Sequence, residues 1–530
     1  MATGMAAPFS PTDIPRGRKF LIFGVMALGQ FLALLDIQIV AASLNEVQAG
    51  LSAGPDEISW VQTAYLMAEL VMIPFSGFLA QAMGTRGAFA LSAALFTLSS
   101  ALCGAAWNIE SMIAFRAVQG FVGGAMIPTV FATGFTLFTG KERAMIPAIL
   151  GMVSVLAPTL GPTVGGWITE LSGWRWIFYV NVLPGIVVTL ATLILVRGID
   201  YPQPEMLRRI DYAHLAAMAV FLGGLEYVLE EGQRHDWLRD PGIATASWLS
   251  FVAFLLFLER SFRSGAPIVR LTPFRRPDFA FACAFNLVIG FGLYSSTYLV
   301  PVFLGRVRGY NSLEIGTTVF VVGVAQVVGT VIAARLSQRI DQRFLIAPGL
   351  AIFALSLWLM SDVGAEWGFG ELLVPQLVRG LAVMICIVPS VNMALNGFGP
   401  AELKAASGLF NLMRNLGGAI GIAVVNVWLY DATRTANARF GEALGTQGGP
   451  APDMIRDIAH RFAAITPDPA QALAMAQATF GRVVGRQALA IGFDEVFRAM
   501  AWIFILSLIL IPFCRPAPPA ARAQQPTESH

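Results

Sequence analysis

Fourteen apolar blocks, most of them about 20 residues or longer, constrain this chain more than any other feature. A helix needs about 20 apolar residues to cross a bilayer. The chain is 56% hydrophobic and 13% charged, whereas soluble domains carry about 25% charged residues. The sequence therefore predicts an all-α membrane protein in a lipid bilayer. The blocks lie near 20–43, 59–82, 87–107, 110–138, 143–168, 175–197, 211–230, 243–262, 279–304, 312–335, 344–362, 371–397, 405–430 and 496–514.

Positive charge predicts the orientation of these spans. Lys and Arg concentrate in loops that are retained on the cytoplasmic side, and they alternate along the chain here. An even number of spans puts both ends of the chain on one side, so we expect both termini to be cytoplasmic. The basic groups of this side include Arg16, Arg18, Lys19, Arg86, Lys141, Arg143, Arg208, Arg209, Arg275, Arg276, Arg335, Arg339, Arg343 and Lys404.

Similar residue types recur in the same order in the two halves of the chain. Span 4 carries Arg116 and Gly120, and span 12 carries Arg379 and Gly380. Related halves around a site near the midplane are a common transporter design; chance recurrence of Gly and Arg is the alternative. The predicted units are a cytoplasmic segment 1–19, a six-helix bundle 20–197, a linker with two inserted spans 198–278, a second six-helix bundle 279–514 and a disordered cytoplasmic tail 515–530.

One long extracytoplasmic loop, 431–495, interrupts the second bundle. Its middle holds Pro450, Pro452, Pro467 and Pro469, whereas Gln471–Ala490 is free of proline and compatible with a helix. The loop is either a flexible linker or a folded docking element.

We single out six ionisable residues inside the spans, where a charge costs about 2.5–3.5 kcal/mol on insertion scales. Asp36 and Arg116 both lie in the outer halves of their spans, so they can meet at one depth. A nearby arginine favours an ionised carboxyl and burial favours the neutral acid. The pair is therefore either a proton-exchanging site or a static ion pair. The six residues are Asp36, Glu69, Arg116, Glu226, Arg379 and Arg414.

Glu69 lies midway through span 2 without a Lys or Arg nearby on that span. It is a candidate proton carrier, a contact for a cationic compound or a bystander. Glu226 is a weaker candidate because it lies near the outer end of span 7. Arg379 and Arg414 are expected to orient the second half, and direct participation in transport is the alternative.

Two further groups of residues are candidates. Aromatic and amide side chains suit a substrate cavity, although each is also typical of ordinary packing; these are Tyr65, Tyr294, Tyr298, Asn286, Asn392, Phe410 and Asn411. Small residues and prolines allow close helix packing and bending. This conformational group contains Gln119, Gly120, Pro158, Gly161, Pro162, Gly165 and Gly166.

Several function classes have no support in the sequence. Net charge is +2, which does not favour nucleic acid. The four cysteines and four histidines form no metal-binding pattern, and no glycine loop with a lysine suggests ATP. No Ser/His/Asp arrangement indicates an enzyme. We expect no cofactor, with the proton motive force as the energy source.

The chain resembles the major facilitator superfamily, in its fourteen-span drug:proton antiporter branch, close to EmrB-type multidrug export permeases. The resemblance covers nearly the whole chain and is carried by Leu35-Asp36 with Ile39-Val40, by Arg116, Gln119 and Gly120, by Gly161-Pro162 with Gly165-Gly166, by Trp174 to Phe178 with Asn181 and Pro184, and by Ala406 to Gly408 with Arg414-Asn415. It implies proton coupling through Asp36 and Arg116, and export through the span 5 motif.

This sequence also departs from the family pattern. Gln81 and Ala82 stand where the family has an acid–base pair after span 2, which puts the usual cytoplasmic charge latch in doubt. Gln38, Ala41 and Ala157 replace other motif residues. The substrate range can therefore differ from that of relatives.

The expected function is proton-coupled efflux of lipophilic or amphipathic drug-like compounds across a bacterial inner membrane by alternating access. The resemblance further implies that loop 431–495 docks to a periplasmic membrane-fusion adaptor and an outer-membrane channel. Export of one metabolite, such as a siderophore or lipid-like compound, is an alternative. A non-transporting receptor or scaffold is a second alternative, which the buried acids disfavour.

Overall fold

The described residues of this computed structural model, 14–143, 145–264, 267–445, 451–464, 466 and 468–514, are helical with short connections. The predicted tail 515–530 and most of the segment 1–19 lie outside them. The α-helices are α1 Arg16–Ala42, α2 Leu44–Leu51, α3 Pro55–Ile58, α4 Trp60–Gly104, α5 Ile109–Gly123, α6 Met126–Leu137, α7 Gly140–Arg143, α8 Ile146–Ser172, α9 Trp176–Tyr179, α10 Val182–Leu195, α11 Tyr212–Glu231, α12 Pro241–Arg263, α13 Pro277–Phe303, α14 Ser312–Leu336, α15 Gln342–Leu359, α16 Phe369–Leu395, α17 Pro400–Gly445, α18 Ala451–Phe462 and α19 Pro469–Ser507.

Twelve helices within the described residues are long and apolar enough to cross a membrane. Two features reconcile this number with fourteen predicted spans. Helix α4 is 45 residues long and contains a non-helical break at Gly84 (φ 73°), so it holds spans 2 and 3. Helix α8 is 27 residues long and coincides with the predicted fifth span. The predicted all-α, fourteen-span fold is confirmed.

The helices pack as two groups joined along one interface. In the first group α4 packs on α5 and α10, and α1 packs on α8. In the second group α13 packs on α17, and α16 packs on α14 and α15. The groups meet where α8 contacts α14 and α16, and where α17 contacts α4 and α6. We call this contact the interface between halves.

Helices α11 and α12 form a pair on the outside of this arrangement. They pack on each other, and α11 also packs on α4. The rings of Trp60 and Tyr227 stack 5.4 Å apart, and Thr63 Oγ1 donates to Glu231 at 3.1 Å. The inserted pair is therefore attached to the helix that carries Glu69.

Most of the segment 431–495 is helical. Helix α17 continues to Gly445, α18 covers Ala451–Phe462 and packs on α19, and α19 starts at Pro469. The 46 residues of α17 correspond to about 69 Å of helix, more than the ~30 Å hydrocarbon core requires. The folded alternative for this segment therefore fits better than a flexible linker. Pro450 and Pro467 lie outside the described residues.

Candidate functional site

Asp36 on α1 and Arg116 on α5 form an ion pair, and both side chains are fully buried. Arg116 Nη1 lies 2.5 Å from Asp36 Oδ2. Arg116 Nε donates to the carbonyl oxygen of Val61 at 3.1 Å, and its guanidinium carbon lies 4.2 Å from the centroid of the Tyr65 ring. The costly charge of Arg116 is thus neutralised by an acid from a different helix.

The second carboxylate oxygen of Asp36 is also held. Asn181 Nδ2 donates to Asp36 Oδ1 at 2.7 Å, and Gln119 Nε2 donates to it at 3.0 Å. Gln119 Oε1 in turn accepts from Arg116 Nη1 at 2.8 Å. We call Asp36, Arg116, Gln119 and Asn181 the Asp36 cluster. Sequence reasoning missed Asn181 as a site residue; its place in the family motif was the available signal.

Local sequence explains how α5 presents these groups. Arg116 and Gln119 are three residues apart, so they share one face of the helix. On the same side, a Cβ at Gly120 would collide with the carbonyl group of Tyr65, and one at Gly124 would lie 2.7 Å from the carbonyl oxygen of Glu69. The glycines therefore let the α5 backbone lie directly against α4 and bring Arg116 close to Asp36.

Glu69 lies on α4, the helix that packs both on α5 of the Asp36 cluster and on the inserted helix α11. Its side chain is 4% exposed and interacts electrostatically with Arg116 and Arg414. Glu226 on α11 is buried, and its Oε2 has no hydrogen-bond partner among the described residues. Glu226 interacts electrostatically with Glu69. The structure thus brings all four predicted proton-coupling residues into one region.

The second half does not repeat this chemistry in register. Gly120 packs on the backbone of Tyr65 in α4, and Gly380 packs on the backbone of Val322 in α14. Counting four residues back from each glycine pairs Arg116 with Gln376. Counting four residues on from Tyr65 and Val322 pairs Glu69 with Gln326. The counterpart of Arg116 is therefore Gln376, and the expected match to Arg379 is off by three residues.

Arg379 and Arg414 are buried in the second half. Arg379 is 2% exposed, and its Nη1 has no hydrogen-bond partner within the described chain. Arg414 Nη2 donates to Asn411 Oδ1 at 2.8 Å, whereas its Nε and Nη1 lack a hydrogen-bond partner among the residues described. Neither arginine lies in an ion pair like that of Arg116 in this part of the structure.

The predicted cavity residues differ in their burial and in their partners. Tyr65, Asn286, Asn392, Phe410 and Asn411 are buried. Asn286 donates to the carbonyl oxygen of Phe410 at 2.6 Å, and Asn392 donates to Ser337 Oγ at 2.9 Å, so both join helices. Tyr294 and Tyr298 are half-buried and bond Asn415 at 3.3 Å and Asn426 at 2.9 Å. Only these two tyrosines keep substantial accessible surface.

The predicted span 5 motif lies on α8, against α1. A Cβ at Gly165 would lie 2.9 Å from the carbonyl oxygen of Ile39, and one at Gly161 would overlap the Gln38 side chain. Pro162 and Gly166 are half-buried on the same helix, and the side chain of Pro158 lies outside the described set. The motif allows α1, which carries Asp36, to touch α8.

A charged contact closes the predicted cytoplasmic face, although Gln81 and Ala82 replace the family pair. Asp200, just after α10, accepts from Thr85 N at 3.0 Å and from Thr85 Oγ1 at 2.7 Å. Lys404 of α17 forms an ion pair with the same carboxylate and donates to the carbonyl oxygen of Ala80 at 2.9 Å. We call Thr85, Asp200 and Lys404 the Asp200 latch. Asp200 gives no sequence signal as a latch residue, because its partners lie far along the chain.

The fold and the buried Asp36 cluster define a multi-pass membrane protein of the transporter class. The Major Facilitator Superfamily family model matches residues 26–422. The chain belongs to the major facilitator superfamily.

Comparisons with known proteins agree with this assignment. The chain is 36% identical to the Colistin resistance protein EmrB of Acinetobacter baumannii, over 94% of this chain and 97% of that protein. It is 27% identical to the Multidrug export protein EmrB of Escherichia coli K12, over 94% and 96% of the two chains. The solved structure of the proton:xylose symporter XylE superposes with a TM-score of 0.58 at 12% identity, covering 94% of this chain and 96% of that one. This structural likeness concerns the fold.

Proposed function

We propose that this protein exports amphipathic, drug-like or toxic organic compounds across the inner membrane in exchange for protons. Its two halves rock around the interface between halves, and both termini are cytoplasmic. Asp36 and Glu69 exchange protons, Glu226 extends this acidic region, and Arg116 holds Asp36. The printed names of the EmrB relatives, one a multidrug export protein and one a colistin resistance protein, support this function.

The buried Asp36 cluster is the observation that carries the proposal. Its carboxylate accepts hydrogen bonds from Arg116, Gln119 and Asn181, so it is held on helices α1 and α5 and beside α10. Buried ionisable groups of this kind in membrane helices mark ion pathways and proton relays. Glu69 lies nearby on α4 and within electrostatic range of Asp36. Proton exchange at these acids can therefore change the forces between neighbouring helices.

The test is substrate-induced proton release in everted vesicles that contain the full chain, with ethidium as the probe compound. Asp36→Asn removes one of the two proposed proton-exchanging acids, so we expect substrate-induced release to fall well below the wild-type level. Glu46→Gln is the matched control, since Glu46 is an exposed acid on α2 and should behave like wild type. Full proton release by Asp36→Asn at equal protein abundance would contradict the proposal.

We further propose that α18 and the start of α19 dock a membrane-fusion adaptor, which leads to an outer-membrane channel. Leu473 and Val483 are 45% and 48% exposed on α19, and Met454 is 47% exposed on α18. Exposed apolar groups on a protruding element suit a protein contact. Glu366 binds Arg486 at 2.6 Å and Arg308 at 2.9 Å, which supports a fixed base for this element.

Co-purification tests the docking proposal. The double change Leu473→Asp and Val483→Asp should reduce recovery of the adaptor from the same cells at least tenfold while leaving ethidium binding intact. Ala478→Asp is the control, because Ala478 lies on the other side of the same exposed helix. Unchanged recovery of the adaptor with the double variant would sink the idea.

A further inference from the structure

Arg414 on α17 has two donors that the protein leaves unused. The residue is 2% exposed, and its Nη2 donates to Asn411 Oδ1. Its Nε and Nη1 are buried without a hydrogen-bond partner among the described residues. Buried charged donors are normally satisfied, because an unsatisfied one loses its water without compensation. Arg414 therefore lacks hydrogen-bond partners for two of its donors in this conformation.

Among the described residues of α13, α14, α16 and α17, no acid lies at the same membrane depth as Arg414. In α13, α14 and α16 the acids are Asp278, Glu314 and Glu371, each in the first turn of its helix. In α17 no acid occurs between Glu402 and Asp431. The acid that interacts electrostatically with Arg414 is Glu69 of the first half. Arg116, by contrast, forms an ion pair with Asp36 of its own half.

The surroundings of Arg414 face the interface between halves. Its guanidinium carbon lies 5.8 Å from the ring centroid of Phe131, which belongs to α6 of the first half. Tyr294 of α13 also interacts electrostatically with Arg414 and Glu69, and its hydroxyl bonds Asn415. Because Tyr294 is half-buried rather than buried, accessible surface lies beside this group.

We propose that Arg414 is a recognition site for the anionic group of an amphipathic substrate, such as a carboxylate on an aromatic body. This inference rests on the proposed export function and narrows its substrate class. The free Nε and Nη1 donate to the anion, Asn411 orients the guanidinium through Nη2, and Phe131 and Tyr294 contact the apolar body. Arginine suits this role because its planar donors remain charged when buried.

Glu69 competes with an anionic ligand for Arg414. The ionised Glu69 carboxylate interacts electrostatically with Arg414, so it disfavours an anionic ligand and attracts a cationic one. Replacing Glu69 by a neutral amide of the same size removes that competitor. Two variants on opposite sides of the interface between halves should therefore change anion affinity in opposite directions.

The test uses three ligands with one naphthalene ring and different charge: 1-naphthaleneacetate, its neutral amide, and 1-naphthylmethylammonium. Binding is measured by calorimetry on the full chain in nanodiscs, with empty nanodiscs subtracted. Arg414→Gln should weaken acetate binding at least about tenfold, since a charge-assisted hydrogen bond is lost, and leave the amide within about twofold. Arg414→Lys should restore part of the acetate affinity, and Glu69→Gln should strengthen acetate binding while weakening the ammonium ligand.

Arg379→Gln is the matched control. Arg379 is another buried arginine of the second half with an unpartnered Nη1, so a general loss of buried charge would affect both variants equally. Acetate affinity should be unchanged in Arg379→Gln. The proposal is overturned if wild type binds the acetate no better than the amide, or if Arg414→Gln binds the acetate as wild type does.

Failure of this inference is distinguishable from failure of the export function. Ethidium-driven proton release in everted vesicles, measured on the same variants, reports on export without using an anionic ligand. If that release is present but Arg414→Gln leaves acetate binding unchanged, only the anion site is wrong. If wild type shows no proton release with any compound, the export function is wrong whatever the binding data show.

Discussion

A buried carboxylate stays charged in a bilayer only where other groups replace the water it has lost. Asp36 has such groups: a guanidinium from α5 at 2.5 Å, an amide from the same helix and the amide of Asn181. Arg414 illustrates the opposite case, with two unused donors. Arg116 and Arg414 therefore differ in whether the protein supplies an ion-pair partner. Arg116 has an ion-pair partner in Asp36, although its Nη2 has no hydrogen-bond partner among the described residues. Arg414 has no such ion pair among the described residues, and we assign that role to a ligand.

The first prediction concerns Asn181. Its amide donates to Asp36 Oδ1 and to Ser100 Oγ, at 2.7 and 3.2 Å. Asn181→Ala should lower the free energy of unfolding by about 1.5–3 kcal/mol, the usual range for a hydrogen bond to a charged group. Unfolding of the purified protein in detergent measures this.

A double-mutant cycle isolates the contact between Asn181 and Asp36. Because Asp36→Asn already removes the charged acceptor, adding Asn181→Ala should cost clearly less than it does in wild type. Fully additive losses would show that the Asn181 amide does not act through Asp36.

Helices α1 and α8 also contact each other closely through small residues in the first half. Gly165 lies over the backbone of Ile39, Gln30 Nε2 donates to Ser154 Oγ at 3.0 Å, and the hydroxyls of Ser43 and Thr169 are 2.9 Å apart. In lipid, helices associate through such close packing and polar contacts instead of a hydrophobic driving force. The position of Asp36 therefore depends on α8 as well as on α5.

The second prediction compares two glycine-to-alanine changes. A Cβ at Gly165 would lie 2.9 Å from a backbone oxygen, whereas one at Gly24 of α1 has no heavy atom within 4 Å. Gly165→Ala should therefore lower stability by about 1–3 kcal/mol through overpacking. Gly24→Ala should leave it unchanged or slightly higher, because alanine favours the helix. Thermal unfolding of both variants in one detergent is the measurement, and equal losses would contradict the packing explanation.

The two halves of the molecule meet firmly at the predicted cytoplasmic face. Lys404 reaches across from α17 to Asp200 and to the carbonyl oxygen of Ala80. Ser407 Oγ of α17 donates to the carbonyl oxygen of Pro128 at 2.8 Å. These contacts hold that face closed in this conformation. For alternating access, they must break when it opens.

The third prediction concerns the Asp200 latch. Asp200→Asn weakens the ion pair with Lys404, which is 13% exposed on the lysine side and 22% on the aspartate side. The variant should open the predicted cytoplasmic face more often, so a Ser407→Cys thiol should react several-fold faster with an impermeant maleimide in everted vesicles. Lys404→Ala should have the same effect. Glu402→Gln, a change of an exposed acid on the same helix, should not alter the rate, and equal rates in all variants would exclude a latch.

Sequence reasoning reached the fold, the family and the Asp36–Arg116 pair, because each depends on local or shared features. Span length and charge are read directly from the chain, and both ends of that ion pair stand out as charges in apolar segments. The comparison of the two halves paired Arg379 with Arg116, whereas the helix contacts pair Gln376 with Arg116. Residue types alone cannot reveal this shift of three residues. The roles assigned to individual site residues and the bounds of the predicted units stay predictions.

By itself the sequence determined how often this chain crosses a membrane, because hydrophobic length and charge act locally on each segment. It also determined that buried charges need partners. Only the tertiary structure decided which partners they have: Asn181 for Asp36, Asp200 for Lys404, and none within the described chain for two donors of Arg414. The physical reason is that such pairings depend on the rotation and approach of helices distant in sequence, which packing across the whole molecule sets.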